Sequence, residues 1–116
     1  MDEGQKLAVV VKALIQVLAD RAGGEGLNYR RSVKVKKDIL EKLQHDYQVS
    51  GISSQRVCYF LRRAGFETRL SGGLSVVDVT LPLLAHACVR TGIEDEMVVA
   101  EIAKANLAER LKREVK

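Results

Sequence analysis

A change of hydrophobic periodicity at Gly65 restricts the folds open to this chain more than any other feature. Before Gly65, apolar residues recur every three or four positions, and after it apolar and polar residues alternate on both sides of Gly72-Gly73. The first pattern is typical of an amphipathic helix, and the second of a β-hairpin with a two-residue turn. The sequence therefore predicts a helix over 53–64 followed directly by a hairpin over about 66–80. A two-residue turn places Leu70 opposite Ser75, Thr68 opposite Val77 and Phe66 opposite Val79, which gives one apolar face and leaves Arg69 on the other.

Outside this region the periodicity predicts mainly helices. The predicted elements are a helix over about 5–21, a short strand over 32–36, a helix from about 36 to 47, a helix between Thr80 and Gly92, and a long helix from Glu94 onward. The predicted fold class is α+β, mainly helical, with a small antiparallel sheet. We expect a compact basic domain over 1–92 and a C-terminal amphipathic helix over 93–116.

Composition excludes several classes of protein. Hydrophobic residues make up 47% and charged residues 29% of the 116 positions, which favours a folded domain over a disordered chain. No apolar run approaches the roughly 18 residues needed to span a bilayer, and the acidic start differs from a secretory signal. We therefore expect a cytoplasmic protein in which Cys58 and Cys88 are reduced core thiols.

Positive charge is concentrated in one part of the sequence. The net charge is +4, but the segment between Tyr29 and Ser71 contains ten basic and four acidic residues, so the remainder is slightly acidic. Such a concentration within a folded domain is typical of a surface that binds a polyanion. The alternative is an ordinary solvated face.

The predicted helix 53–64 carries much of this charge on the side opposite its apolar stripe. A helical wheel places its stripe residues Val57, Phe60, Leu61 and Ala64 together. Arginine can contact phosphate or a guanine edge and tyrosine can stack on a base, so this pattern on the opposite face indicates binding of nucleic acid. The alternative is that the arginine stems only cover apolar neighbours. The candidate binding residues are Gln55, Arg56, Tyr59, Arg62 and Arg63 on this helix, Arg30, Arg31, Lys34, Lys36 and Lys37 upstream, and Arg69 in the hairpin.

The predicted C-terminal helix has an apolar stripe of its own. The acidic residues at its start and basic residues at its end agree with the helix dipole. A stripe on a helix beyond the compact domain predicts self-association, with packing on its own domain as the alternative. The stripe consists of Val99, Ala103, Leu107, Leu111 and Val115.

No catalytic or metal-binding motif is recognisable in the sequence. His45 and His86 belong to no motif with a nucleophile, and their spacing to the two cysteines is not that of a zinc site. Acidic residues cluster at predicted helix starts, where capping and the helix dipole account for them. We therefore expect a protein that is not an enzyme and has no cofactor or metal.

The order helix, short strand, helix, helix, hairpin resembles a winged-helix DNA-binding domain. The segment SSQRVCYFLRRAGF at residues 53–66 resembles the recognition helix of that class, and residues 69–75 resemble its wing. The resemblance implies that the candidate residues of helix 53–64 face the major groove and that Arg69 contacts a neighbouring phosphate.

A small basic domain followed by a zipper-like helix is also similar in layout to the archaeal single-stranded-DNA-binding proteins called ThermoDBP and their relatives. The abundance of Lys, Arg, Glu, Val and Leu, with only two asparagines, is consistent with a thermophile. This resemblance implies that the same basic residues line a channel for a single strand and that oligomerisation builds the channel.

Together these patterns predict a DNA-binding protein that is not an enzyme, contacts the phosphate backbone and self-associates through its last helix. Two alternatives stay open: an oligomer that binds single-stranded DNA, and an adaptor whose basic surface docks an acidic protein partner. RNA in place of DNA is also left open, and no membrane partner is expected.

Overall fold

The computed structural model describes residues 1–114, which form five α-helices and a three-stranded sheet in the predicted order. The α-helices are α1 (Glu3–Arg21), α2 (Glu41–His45), α3 (Ser54–Arg63), α4 (Leu81–Thr91) and α5 (Glu96–Glu114). The strands are β1 (Val33–Lys34), β2 (Thr68–Ser71) and β3 (Leu74–Val77), and a π-helical segment, Val35–Leu40, joins β1 to α2. The fold is α+β and mainly helical, which confirms the predicted class.

The first helix runs through the centre of the core. On its apolar face Val10, Leu14 and Leu18 are completely buried, and α1 packs against α3 and α4. The helix begins at Glu3, slightly before the predicted start, because Asp2 and Gln5 form a reciprocal capping box. Burial of this face fixes the position of α3, which carries several of the candidate residues.

The predicted strand 32–36 and the helix that follows it have different bounds in the structure. The strand is only Val33–Lys34, and the chain is already helical at Val35, first with π and then with α geometry. Asp38 explains the early helix start, because its carboxylate accepts a hydrogen bond from the backbone N–H of Lys34 and pairs with Arg21. The helix ends at His45, slightly before the predicted end.

The hairpin has the predicted turn and register, with Thr68 opposite Val77 and Leu70 opposite Ser75. Gly72 and Gly73 have φ angles of 59° and 80°, the left-handed values that a tight hairpin turn requires. The strand order is β1-β3-β2, with all neighbours antiparallel.

Two details of the predicted hairpin are wrong. Its strands are shorter than 66–80, because Phe66 and Val79 lie in the core outside the strand pairing. The expected apolar face also does not extend to the turn, since the side chain of Leu70 is 73% exposed.

The ends of the last two helices follow local sequence signals. Thr80 caps α4 by accepting from the N–H of Leu83, and Gly92 ends that helix with a left-handed φ of 71°. Asp95 caps α5 by accepting from the N–H groups of Met97 and Val98, so α5 begins at Glu96. Within residues 1–114, no helix combines the length and apolar character required to cross a bilayer.

Candidate nucleic-acid interface

Helix α3 presents its polar face because its apolar face is anchored in the core. Ser53 caps the helix by accepting from the N–H of Arg56 at 3.2 Å, and the apolar stripe packs against α1. The buried side chains are Val57, Phe60, Leu61 and Ala64, as the helical wheel predicts. Cys58 is also buried, so the polar face is narrower than a simple two-sided wheel indicates.

The polar face of α3 has one row of side chains next to the hairpin. Gln55 and Arg62, two turns apart, line a cleft of about 270 Å³ together with hairpin residues that include Leu70 and Ser75. The Arg62 guanidinium donates to the Thr68 hydroxyl at 3.1 Å. Because this partner is neutral, Arg62 keeps its positive charge next to the hairpin.

A second row on α3 is directed towards the start of α1. Arg56 forms an ion pair with Glu3 at 2.6 Å, and its guanidinium lies 4.6 Å from the centre of the half-buried Tyr59 ring. Arg63 lies 5.7 Å from the same ring centre and donates to the Tyr59 hydroxyl at 2.9 Å, which raises the pKa of Arg63. Tyr59 therefore orders two arginines, and one of them is already paired with a carboxylate.

The lysines upstream of α2 lie on the other side of the hairpin. Lys34 in β1 and Lys36 and Lys37 in the π-helical segment line a cleft of about 210 Å³ with Leu74, Ser75 and Glu41. Ser75 lines this cleft as well as the one beside α3. Within residues 1–114, no carboxylate lies within ion-pair distance of the three lysines.

We call the residues that line the two clefts on either side of the hairpin, together with the hairpin turn, the hairpin basic surface. It consists of Gln55 and Arg62 on one side of the hairpin, residues 70–75 of the hairpin itself, and Lys34, Lys36 and Lys37 on the other side.

Arg30 and Arg31 are exposed but do not join the hairpin basic surface. In the antiparallel pairing of β1 with β3, Val33 lies opposite Val77 and Lys34 opposite Val76. The residues before Val33 therefore run away from the hairpin turn. The upstream basic block, which is continuous in the sequence, is divided by the short strand into two parts.

Arg69 is held by two side chains that flank the other strands, Ser32 just before β1 and Asp78 just after β3. Its guanidinium donates two hydrogen bonds to the Asp78 carboxylate, at 2.6 and 3.1 Å, and a third to the Ser32 hydroxyl at 2.8 Å. The hydrogen bonds that Asp78 accepts from Arg69, and a further one that it accepts from the Ser32 hydroxyl, lower its pKa from the ordinary 3.8 to about 2. Arg69 is thus a neutralised side chain that ties the sheet together, and neither Asp78 nor Ser32 was among the residues singled out from the sequence.

We expect the stability contribution of Asp78 to depend on pH. Because its pKa is lowered by folding, the ionised carboxylate stabilises the fold above about pH 4, and this contribution is lost as the pH falls towards 2. Asp78 and Arg69 are both about half exposed, so the D78N substitution should cost about 1 kcal/mol at most near neutral pH. The measurement is the free energy of unfolding of the native protein and D78N across this pH range.

The R69A variant and the double variant provide the control for this pair. If the two residues act together, the double variant should lose little more stability than either single variant. A difference between native protein and D78N that stays the same from neutral pH to pH 2 would contradict the assignment.

Residues 1–114 contain the other groups that could carry chemistry, which are the histidines, the cysteines and the remaining carboxylates. In this part of the chain, no three His, Cys, Asp or Glu side chains are grouped as metal ligands. Cys58 and Cys88 are buried free thiols, and burial raises the pKa of Cys88.

Comparison of the chain with protein families, curated proteins and solved structures finds no match. Function is therefore inferred from the charges and contacts of the described residues.

Proposed function

We propose that this protein binds DNA without acting as an enzyme, and that its hairpin basic surface contacts the phosphate backbone. The observation that carries the proposal is the position of Ser75, which lines both clefts. Arg62 on one side and three lysines on the other therefore flank a single hairpin. A strand of phosphates that follows the hairpin turn would meet positive charge on both sides.

The exposure of Arg62 and the three lysines, and the lack of a carboxylate partner for them within residues 1–114, support phosphate contacts rather than a structural role. In the described part of the chain, neither Arg62 nor the three lysines pair with a carboxylate, and all four side chains are exposed. Exposed unpaired cations bind phosphates with release of counterions, which supplies most of the sequence-independent affinity for DNA. The planar guanidinium of Arg62 can also donate two parallel hydrogen bonds to one phosphate.

The order of elements gives a reason to favour a duplex. In a winged-helix arrangement, a recognition helix contacts the major groove and the hairpin contacts the adjacent backbone. Here α3 and the hairpin line one cleft, so Gln55 and Arg62 would contact the groove edge. Lys34, Lys36 and Lys37 would contact phosphates beyond the hairpin.

We also propose that the protein self-associates through α5. Val98 and Ile102 attach the first turns of α5 to the rest of the domain, whereas residues 103–114 are exposed on all sides. The described stripe residues Val99, Leu107 and Leu111 are exposed large apolar side chains, as expected for a helix that packs against another chain. The stripe also contains Ala103, and its last member, Val115, lies outside the described residues.

A binding titration at several salt concentrations tests the proposed DNA contact. Four phosphate contacts predict that the logarithm of affinity falls against the logarithm of salt with a slope of about −3.6 for duplex DNA and about −2.8 for a single strand. Duplex, single-stranded DNA and RNA of equal length should each be titrated, because the tightest ligand identifies the preferred form. An affinity that does not change with salt would overturn the proposal.

Poly-glutamate serves as the control polyanion in this titration. It carries negative charge without phosphate geometry, so it should compete weakly with DNA. Displacement of DNA by poly-glutamate at equal charge concentration would instead indicate a surface for an acidic protein.

A further inference from the structure

Two leucines beside the hairpin turn are exposed to solvent. Leu70 is 73% exposed and Leu74 is 53% exposed. In the rest of the segment from residue 2 to residue 88, every valine, leucine, isoleucine, phenylalanine and tyrosine is buried or half-buried. The two leucines therefore add little to the core, and their apolar side chains are free to contact another molecule.

The two leucines lie on opposite faces of the hairpin. The register pairs Leu70 with Ser75 and Leu74 with Ser71, and successive side chains of a strand point to opposite faces. Leu70 accordingly lines the cleft beside α3, and Leu74 lines the cleft beside the lysines. The turn between them consists of two glycines, so the hairpin ends in a narrow tip with one leucine on each side.

On each face, a cation lies further from the turn than the leucine does. On the face of Leu70, the Arg62 guanidinium donates to the threonine hydroxyl two residues further from the turn. On the face of Leu74, Lys34 is paired with the residue two positions further from the turn. Two residues span about 7 Å of a strand. The tip is therefore apolar, and positive charge begins on both faces about one such step behind it.

We propose that the hairpin tip is an apolar wedge that binds where a DNA duplex opens into two single strands. This inference rests on the proposed DNA contact of the hairpin basic surface and adds the form of DNA that this surface prefers. Each separated strand would pass one leucine and then enter one cleft. Leu70 and Leu74 would contact the first unpaired base of each strand, and Arg62 and the three lysines would contact the phosphates that follow.

The cost of opening DNA explains why the wedge should prefer a junction. Apolar side chains that enter a closed duplex must first unstack its base pairs, whereas bases that are already unpaired do not impose this cost. A lone single strand can occupy only one face of the hairpin at a time. Both leucines and both sets of cations are used together only when two separated strands are present.

The charges next to Leu74 agree with a nucleic-acid strand as the occupant. Lys34, Lys36 and Lys37 line this cleft together with Glu41, so its net charge is positive. An anionic membrane would also attract leucines flanked by lysines. A membrane meets a protein from one side, however, whereas these leucines lie on opposite faces and each has its own cleft.

A titration of the full chain with three forms of DNA tests the wedge. The forms contain the same number of phosphates and are a closed duplex, a fork with unpaired arms on both strands at one end, and a single strand. We expect the fork to bind about tenfold more tightly than either of the other forms. A 2-aminopurine base in the last pair before the arms should become more fluorescent at saturation, because loss of stacking relieves its quenching.

The L70T/L74T variant removes the apolar tip and keeps the charges. Threonine favours strands and both positions are exposed, so the fold should stay intact, which far-UV circular dichroism checks. We expect L70T/L74T to bind the fork about tenfold more weakly than the native protein does and to leave the 2-aminopurine fluorescence unchanged. Its affinity for closed duplex should change by less than about threefold, since the phosphate contacts remain.

The V89T variant is the matched control. Val89 is 82% exposed and lies on α4, where it lines neither cleft beside the hairpin. The same loss of exposed apolar surface at this position should leave the affinity for all three forms as in the native protein. A loss of fork binding in V89T equal to that in L70T/L74T would overturn the wedge.

The other outcomes separate the wedge from the proposed function. Equal affinity for fork and duplex, with a steep salt dependence, would overturn the wedge and leave the DNA contact in place. Affinity that does not change with salt would overturn both. Binding to phosphatidylserine vesicles that is lost in L70T/L74T would assign the leucines to a lipid surface.

Sedimentation equilibrium of the native protein and L70T/L74T tests whether the leucines instead join two copies of the chain. The proposed self-association through α5 predicts the same oligomer for both proteins. An oligomer of the native protein that dissociates in L70T/L74T would assign the hairpin tip to self-association and would overturn the wedge.

Discussion

Replacement of Phe60 with alanine is expected to lower the free energy of unfolding by about 4 kcal/mol. The ring is 1% exposed and lies on the buried face of α3. Its removal takes away apolar contacts and leaves a cavity that the surrounding helices can only partly fill. The Arg56 guanidinium, 4.9 Å from the Phe60 ring centre, also loses a cation–π contact. Urea denaturation of the native protein and F60A measures the loss.

The L70A variant is the control for this measurement. Leu70 is also a large apolar residue, but its side chain is 73% exposed. Its truncation should change the free energy of unfolding by about 0.5 kcal/mol or less. Similar losses for F60A and L70A would contradict the assignment of α3 to the core. Because small domains are stable by only about 5–15 kcal/mol, F60A should also weaken DNA binding when it is partly unfolded.

The elements that could be predicted from the sequence are those fixed by short-range signals. Gly65 ends the α3 region, Gly72 and Gly73 permit the tight hairpin turn, and Ser53 and Thr80 cap helices at the predicted places. Each signal acts within a few residues, through a backbone angle or a single hydrogen bond. The hairpin register follows from its turn.

The helical conformation that begins directly after β1 could not be predicted from such short-range signals. The alternation from Ser32 to Lys36 is typical of a strand, yet Val35 is helical. The difference comes from Asp38, whose carboxylate accepts from the N–H of Lys34 and pairs with Arg21 in α1. Arg21 is 17 residues away in sequence, so periodicity within a short window contains no information about this contact.

The same limit applies to the candidate binding residues. Arg56 and Arg69 have the residue type and exposure expected of phosphate contacts, but each is paired with a carboxylate. Glu3 is 53 residues from Arg56, and no sequence pattern connects them. Asp78 was within reach of sequence reasoning, because the hairpin register places Val76 opposite Arg69 and Asp78 is the next residue on that face of the strand.

The distribution of the upstream cations depends on topology rather than on sequence distance. Arg30 and Lys34 are close in the chain, but the antiparallel pairing of β1 directs them towards opposite ends of the sheet. Arg62 is far from Lys34 in the chain, yet both line clefts that share Ser75. The hairpin basic surface therefore becomes visible only when the hairpin is placed between α3 and the π-helical segment.

Substitution of Lys36 and Lys37 by alanine is expected to weaken duplex binding about 100-fold. Each lysine is exposed and lines the cleft next to the hairpin. A charge-assisted contact contributes about 1.5 kcal/mol, so the loss of two contacts raises Kd by roughly two orders of magnitude. The salt slope should also decrease in magnitude by about 1.8. The measurement is a titration of the native protein and K36A/K37A with the same duplex.

The K6A/K12A variant separates this local effect from a general effect of charge. It removes two positive charges from α1, at positions that line neither cleft beside the hairpin. At physiological salt, charges separated by more than about 8 Å are largely screened, so K6A/K12A should change Kd by less than about threefold. Equal losses in the two double variants would show that affinity follows net charge, and the hairpin basic surface would then not be the DNA-binding site.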